Sequence, residues 1–254
     1  MTASPTLGSI QIPQMGFGTW NLGGQAAAIQ HALQVGYRHL DTADIYGTHD
    51  DIAAALRNSG IPREKLFLVT KLWSHSLAPD KVGPAVERFL RELNTDYIDL
   101  LLIHWPSRSV AAEDTLSAMQ DVQETGAVRA LGVSNFDKPL MERGLEAGYP
   151  LTNNQIEYNL NHRSDETLAY CLENAVTVTA YSPLERGSRS QEAAVAAIAE
   201  QHGATREQVL LAWLMAKEMV VIPRSGKPAH IEANWASLDI ALSEADIQGI
   251  DAAA

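Results

Sequence analysis

The chain has 254 residues, 46% apolar and 20% charged, a composition that excludes disorder, collagen-like structure and low-complexity repeats. Nineteen Lys and Arg against 31 Asp and Glu leave a net charge of −12, which repels phosphate backbones and argues against nucleic acid as a partner. Cys171 is alone, so no disulfide can form within the chain. Met1 to Gly8 carries neither the basic start nor the apolar run of a signal peptide, and no stretch has membrane-spanning length. A cytoplasmic monomer with no membrane partner is expected.

Along the chain, short apolar runs rich in β-formers alternate with longer helical patterns. Leu7 to Pro13 alternates apolar and polar residues around Gly8-Ser9, which predicts a small hairpin closing one end of the fold. A strand over Met15–Gly18 precedes a helix over Gln25–Gln34, and a strand over Arg38–Thr42 precedes a helix over Asp50–Asn58. A strand over Leu66–Lys71 is followed by a helix over Pro79–Leu93, where Pro79 and Asp80 suit a first turn. Then come a strand over Ile98–His104, a helix over Thr115–Glu124, a strand over Arg129–Val133 and a helix over Lys138–Glu146.

A strand over Asn154–Glu157, a helix over Asp165–Asn174 and a strand over Val176–Tyr181 continue the alternation. The helical region Gln191–Lys217 is broken at His202-Gly203-Ala204-Thr205, where Gly203 can stop one helix and Thr205 cap the next. The last strand, Val220–Pro223, leads to helices over Pro228–Ser237 and from Ser243 to Ile250. Eight strands each followed by a helix predict a (β/α)8 TIM barrel, and no shift in composition divides residues 1–254 into two domains.

In such barrels the reactive side chains stand at the C-terminal ends of the strands. Asp41, Lys71 and His104 end the second, third and fourth predicted strands, and Tyr46 lies in the loop after the second. Taken singly, Asp41 could be a helix cap, His104 a core histidine, Tyr46 a packing residue and Lys71 a surface lysine. On adjacent strands at one face they form a constellation. The absence of His-x-x-x-His and Cys pairs, with Lys71 in the group, argues against a metal there.

The runs Asp41-Thr42-Ala43-Asp44-Ile45-Tyr46-Gly47, Lys71-Leu72-Trp73 and Ile103-His104-Trp105-Pro106 occur in one order with Gly132-Val133-Ser134-Asn135-Phe136, Asn154-Gln155-Ile156-Glu157-Tyr158, Tyr181-Ser182-Pro183-Leu184 and Ile222-Pro223-Arg224-Ser225. In these motifs the chain resembles the aldo-keto reductase superfamily over nearly its whole length, and most of all the bacterial enzymes that reduce diketo-gluconate and methylglyoxal. The resemblance implies NADPH-dependent reduction of a small aldehyde, α-ketoaldehyde or keto sugar, with Tyr46 as the general acid. Lys71 would lower the Tyr46 pKa, Asp41 would hold Lys71 charged, and His104 would orient the carbonyl oxygen.

It also implies a nicotinamide carboxamide held by Ser134, Asn135 and Gln155, and a nicotinamide ring stacked on Tyr181, with Ser182 and Leu184 beside it. Arg224, Ser225, Lys227, His230 and Asn234 would take the adenosine-phosphate end at the start of the helix from Pro228. NADPH is expected over NADH, although His230 stands where an Arg is usual and Arg224 where Lys is commoner. Trp20, Trp73 and Trp105 are expected to wall the substrate pocket, Trp213 and Trp235 to pack on helices. His49 replaces a more usual Glu, and where such enzymes usually continue into a C-terminal loop over the substrate site, this sequence either has a short one or lacks it. The alternative reading is a nicotinamide-nucleotide-binding barrel with a sensor or regulatory role and little turnover, which fold alone does not separate from an enzyme.

Overall fold

Parallel strands joined by apolar-faced helices can bury both faces, and they leave no open edge by closing on themselves. In the computed structural model, which describes residues 5–253, they do so. The strands β3 (Gly16–Gly18), β4 (His39–Asp41), β5 (Phe67–Leu72), β6 (Ile98–Ile103), β7 (Val128–Ser134), β8 (Leu151–Glu157), β9 (Thr177–Tyr181) and β10 (Val220–Val221) pair in parallel in that order. A parallel bridge between Met15 and Val221 and a bond from the Gly18 N–H to the Pro223 carbonyl (3.1 Å) close the ring. A separate hairpin of β1 (Thr6–Leu7) and β2 (Ile10–Gln11) turns at Gly8-Ser9, as expected. Leu7 and Ile12 join Phe67, Val69, Leu100, Leu102, Ala130 and Val220 in one apolar cluster, so this segment plugs the end of the barrel opposite the strand C-termini.

The outer ring consists of α1 (Ala26–Val35), α2 (His49–Ser59), α3 (Pro79–Leu93), α4 (Ala112–Glu124), α5 (Lys138–Glu146), α6 (Asp165–Glu173), α7 (Arg189–His202), α8 (Arg206–Ala216), α9 (Pro228–Trp235) and α10 (Glu244–Ala252). The predicted break within Gln191–Lys217 is real. Gly203 ends α7 in the left-handed region, and Thr205 and Gln208 form a reciprocal cap on α8. Trp213 is fully buried on α8 and Trp235 packs against Tyr37 with ring centroids 4.8 Å apart, in keeping with packing roles. Among the described residues no helix is long and apolar enough to cross a membrane.

Several boundaries differ from expectation for identifiable reasons. Helix α4 starts at Ala112, because the Thr115 hydroxyl donates to the Leu77 carbonyl (2.8 Å) inside the first turns and does not mark the start. Strand β8 begins at Leu151, three residues early, since the Thr152 hydroxyl donates to the Leu131 carbonyl and the Asn153 amide to the Thr179 hydroxyl across the sheet. The last strand is limited to Val220–Val221. The Pro228 helix gives way at Ala236 to a single 3-10 turn. The signal-peptide reading of Met1 to Gly8 falls partly outside the described residues.

Candidate active site

Inward-facing positions of adjacent parallel strands stack in layers, and the upper layer here is polar. Asp41 closes β4, Lys71 lies on β5 and Gln155 on β8, all buried. The Lys71 ammonium is wholly buried and donates to Asp41 Oδ1 (2.5 Å) and to the Thr42 carbonyl (2.8 Å), while the Gln155 amide donates to Asp41 Oδ2 (2.7 Å). Both carboxylate oxygens of Asp41 are thus engaged, which offsets the cost of burying the charge. Burial by itself would drive the Lys71 pKa down. Asp41 and then Tyr46 outweigh it, so the pKa is raised and Lys71 stays an ammonium at neutral pH.

Tyr46 ends a 3-10 turn, Asp44–Tyr46, that Gly47 closes in the left-handed region with φ 64°. The turn brings the phenol over the barrel mouth. Lys71 Nζ lies 5.0 Å from the centroid of its ring, and its hydroxyl is 3.4 Å from His104 Nε2. His104 follows β6, its backbone N–H bonded to the Leu72 carbonyl at 3.1 Å. Burial first, and Lys71 second, depress the His104 pKa to about 3, so the imidazole is neutral at neutral pH and has one N–H and one lone pair to offer. The expected lowering of the Tyr46 pKa is not what the site produces. Burial raises it above the ordinary phenol value, and Lys71 only moderates that rise. The hydroxyl therefore stays protonated at neutral pH, the state a proton donor requires.

These side chains open into a cleft of ≈ 420 Å³ that is also lined by Trp20, Trp73, Trp105, Ser134, Asn135, Gln155, Tyr181, Ser182, Leu184 and Arg224. The ring of Trp20 meets Tyr46 edge-on at 4.9 Å and that of Trp73 meets His104 at 5.0 Å, so two of the expected Trp residues flank the reactive pair. Trp105 stands half-exposed at the rim. Ser134 donates to the Gln155 carbonyl (2.8 Å), Asn135 to the His104 carbonyl (3.1 Å), and the Tyr181 hydroxyl to the Asn135 side-chain oxygen (2.9 Å). Asn135 (φ 62°) and Ser182 (φ 48°) hold left-handed backbone without being glycine, and such strain gathers at functional sites.

Ser225, Lys227, His230 and Asn234 lie outside the cleft, on the segment after β10 and on α9. Ser225 and Asn234 are buried there, while Arg224, Lys227 and His230 are exposed around a helix N-terminus that begins with Pro228 and has no side-chain cap. Ile45, Pro183, Glu185, Ile222 and Pro223 line the cleft without having been expected to. Sequence reasoning also missed the bond between Gln155 and Asp41. The alternation Asn153, Gln155, Glu157 on one face of a strand buried on both sides was its available signal.

Residues 14–254 match the aldo/keto reductase family. The chain belongs to this family. It is 36% identical over 247 residues to "Methylglyoxal reductase DkgB" of Escherichia coli O157:H7, covering 95% of this chain and 92% of that relative. Among solved structures, an aldo-keto reductase enzyme from a Medee basin deep-sea metagenome library superposes with a TM-score of 0.91 at 36% identity, over 97% of this chain and 93% of that one. A Bombyx mori aldo-keto reductase in complex with NADP superposes with a TM-score of 0.90 at 28% identity, over 99% and 94%. This aldo/keto reductase is therefore an oxidoreductase built on the TIM barrel expected of it, and the buried Lys71 and Asp41 lie inside that barrel.

Proposed function

We propose that this aldo/keto reductase reduces small aldehydes, α-ketoaldehydes or keto sugars to alcohols with NADPH, and that Tyr46 delivers the proton. The observation that carries the reading is a fully buried Lys71 whose ammonium lies 5.0 Å from the Tyr46 ring, with the Tyr46 hydroxyl 3.4 Å from His104, in a cleft walled by tryptophan rings.

NADPH, when bound, supplies the hydride. The residues present fit such a cofactor. Ser134, Asn135 and Gln155 offer hydroxyl and amide groups suited to a carboxamide, which is both donor and acceptor, and Tyr181 presents a half-buried ring beside them. Arg224 and Lys227 set two cations at the uncapped start of α9 in a chain of net charge −12, a local arrangement suited to a phosphate. The Bombyx mori relative with NADP supports the same assignment.

A carbonyl group reduced in the cleft becomes an alkoxide, which needs a donor at the moment the charge develops. The Tyr46 hydroxyl gives up its proton to that oxygen. The resulting phenolate is stabilised by the Lys71 ammonium, whose charge is maintained by Asp41. His104, neutral and 3.4 Å from the same hydroxyl, hydrogen-bonds the carbonyl oxygen and sets its direction without competing as an acid. The relative named as a methylglyoxal reductase supports an α-ketoaldehyde as one substrate.

The test is consumption of NADPH with methylglyoxal, nitrobenzaldehyde and diketo-gluconate as substrates, by wild type and Tyr46→Phe. Wild type is expected to turn over at least one, and Tyr46→Phe to lose roughly 10²- to 10⁴-fold in rate while binding NADPH normally. Turnover undiminished in Tyr46→Phe would remove the proton-donor assignment. NADPH binding without turnover of any carbonyl would favour the sensor reading.

A further inference from the structure

The segment that carries Tyr46 is gripped from outside the barrel by one helix. Arg88 and Glu92, one turn apart on α3, reach the two residues that flank it. Arg88 Nη2 donates to Asp44 Oδ1 at 2.8 Å, two residues before Tyr46, and Glu92 Oε2 accepts from His49 Nδ1 at 2.6 Å, three residues after it. The two helix residues are themselves paired, Arg88 Nη1 to Glu92 Oε1 at 3.3 Å. The second nitrogen of His49 lies 3.0 Å from the hydroxyl of Thr70, the residue immediately before Lys71 on β5. One imidazole thus joins the backbone just past the phenol to the backbone just before the ammonium.

The ring is placed for this task and for nothing in the cleft. His49 is buried, at the first position of α2, its face set by an edge contact with Phe89 at 5.2 Å, and it does not line the cavity. The Glu92 carboxylate has no proton to give, so Nδ1 carries the hydrogen. Nε2 then accepts from the Thr70 hydroxyl, and both nitrogens of a neutral imidazole are satisfied. A two-ended, buried hydrogen-bond bridge fixes a separation more sharply than apolar packing does, because each arm is lost if either side shifts.

We infer that His49 is a positioning residue for the reaction, acting through Glu92 and Thr70 to set the distance between the Tyr46 turn and the Lys71 strand. This rests on the proton-donor role proposed for Tyr46. Proton delivery depends on that distance, whereas cofactor affinity depends on groups carried by β7 to β10 and α9 and stands apart from the bridge.

The experiment measures the single-turnover rate of 4-nitrobenzaldehyde reduction, the NADPH dissociation constant and the melting temperature for His49→Ala, His49→Asn, Thr70→Val and Glu92→Gln, beside Tyr46→Phe. Misplacement of a reacting group costs on the order of ten- to a hundred-fold in rate. His49→Ala and Thr70→Val are expected to slow the single turnover about tenfold or more with NADPH affinity within about twofold of wild type. His49→Asn keeps a donor for Glu92 where Nδ1 stood but offers no acceptor to the Thr70 hydroxyl, and is expected to slow the turnover about as much as Thr70→Val does. Should His49→Ala fold poorly, Thr70→Val and Glu92→Gln decide the matter, since both retain the imidazole. Rates unchanged in those two, or rates that fall only in step with NADPH affinity and melting temperature, would overturn the inference. A fast Tyr46→Phe would instead indict the proton-donor reading itself, so the two failures are distinguishable.

Discussion

At the level of single residues, the chemistry of the cleft is a matter of which charges have been taken out of water and what was left to hold them. Lys71 has Asp41 and the Thr42 carbonyl, and Asp41 has Lys71 and Gln155. Removing one member strands the other. Lys71→Met preserves the length of the side chain yet leaves Asp41 with a single partner, and is expected to cost about 3 to 5 kcal/mol of stability in urea unfolding besides suppressing reduction. An unchanged midpoint would mean that Asp41 is not held by this pair. Gln155→Leu leaves one buried carboxylate oxygen without its donor, with an expected cost of about 1 to 3 kcal/mol in the same measurement. Asp41, Lys71 and His104 were legible as candidates because polar side chains at consecutive strand ends have no packing reason to be there, and Tyr46 because it follows the second strand end in the same motif. The environment around Tyr46 was not, because a phenol's exposure depends on Trp20 and His104, which arrive from other loops.

Among the elements, β7 and β8 show how closely the barrel wall is packed. The register shifts between Leu131 and Gly132, and a Cβ on Gly132 would stand 2.5 Å from the Asn153 carbonyl oxygen. Gly132→Ala is expected to destabilise the protein by about 1 to 3 kcal/mol, read from chemical denaturation. Because Ser134 ends the same strand and Asn135 directly follows it, weakened NADPH binding should accompany the loss; full stability would show that the wall can yield. The helices were readable where their caps are local, as at Thr205 with Gln208, although the matching cap of Ser188 with Gln191 went unread and α7 was begun at Gln191. They were less so where a threonine near the start proved to serve a distant carbonyl, as Thr115 does for Leu77. Strand β8 was read short for a related cause: Thr152 and Asn153 look like loop residues until their partners across the sheet are known.

Over the whole molecule, the fold keeps three imidazoles neutral. His39, His49 and His104 are each depressed below the ordinary histidine value, with burial the first cause in every case. Below a pH of about 6.5 the unfolded chain binds protons at these sites that the folded chain refuses, so stability must fall as the pH falls, by up to about 1.4 kcal/mol per pH unit for each site. For His104 this window extends down to about 3. Urea unfolding at pH 7 and pH 5 checks it, and equal stabilities at the two values would contradict the burial of these rings. The charge distribution makes a second whole-molecule prediction. Arg224 and Lys227 are local cations in an acidic chain, so NADPH affinity should weaken with added salt more than NADH affinity does, and His230→Arg should widen the preference. Fluorescence titration at low and high salt measures both, and an unaltered preference in His230→Arg would move the phosphate site elsewhere.

What the amino-acid order determined by itself is the periodic part: eight apolar runs alternating with helical patterns, local caps, and a motif order that places Tyr46, Lys71, Asp41 and His104 in adjacent units. These depend on neighbours a few residues apart, and such information is written in the chain. Only the tertiary structure decided which oxygen of Asp41 each partner takes, that burial outweighs Lys71 in setting the Tyr46 pKa, and that His49 answers to Glu92 and Thr70. Desolvation and hydrogen-bond pairing belong to groups brought together from 21 to 114 positions apart, and closing the barrel is what brings them within reach.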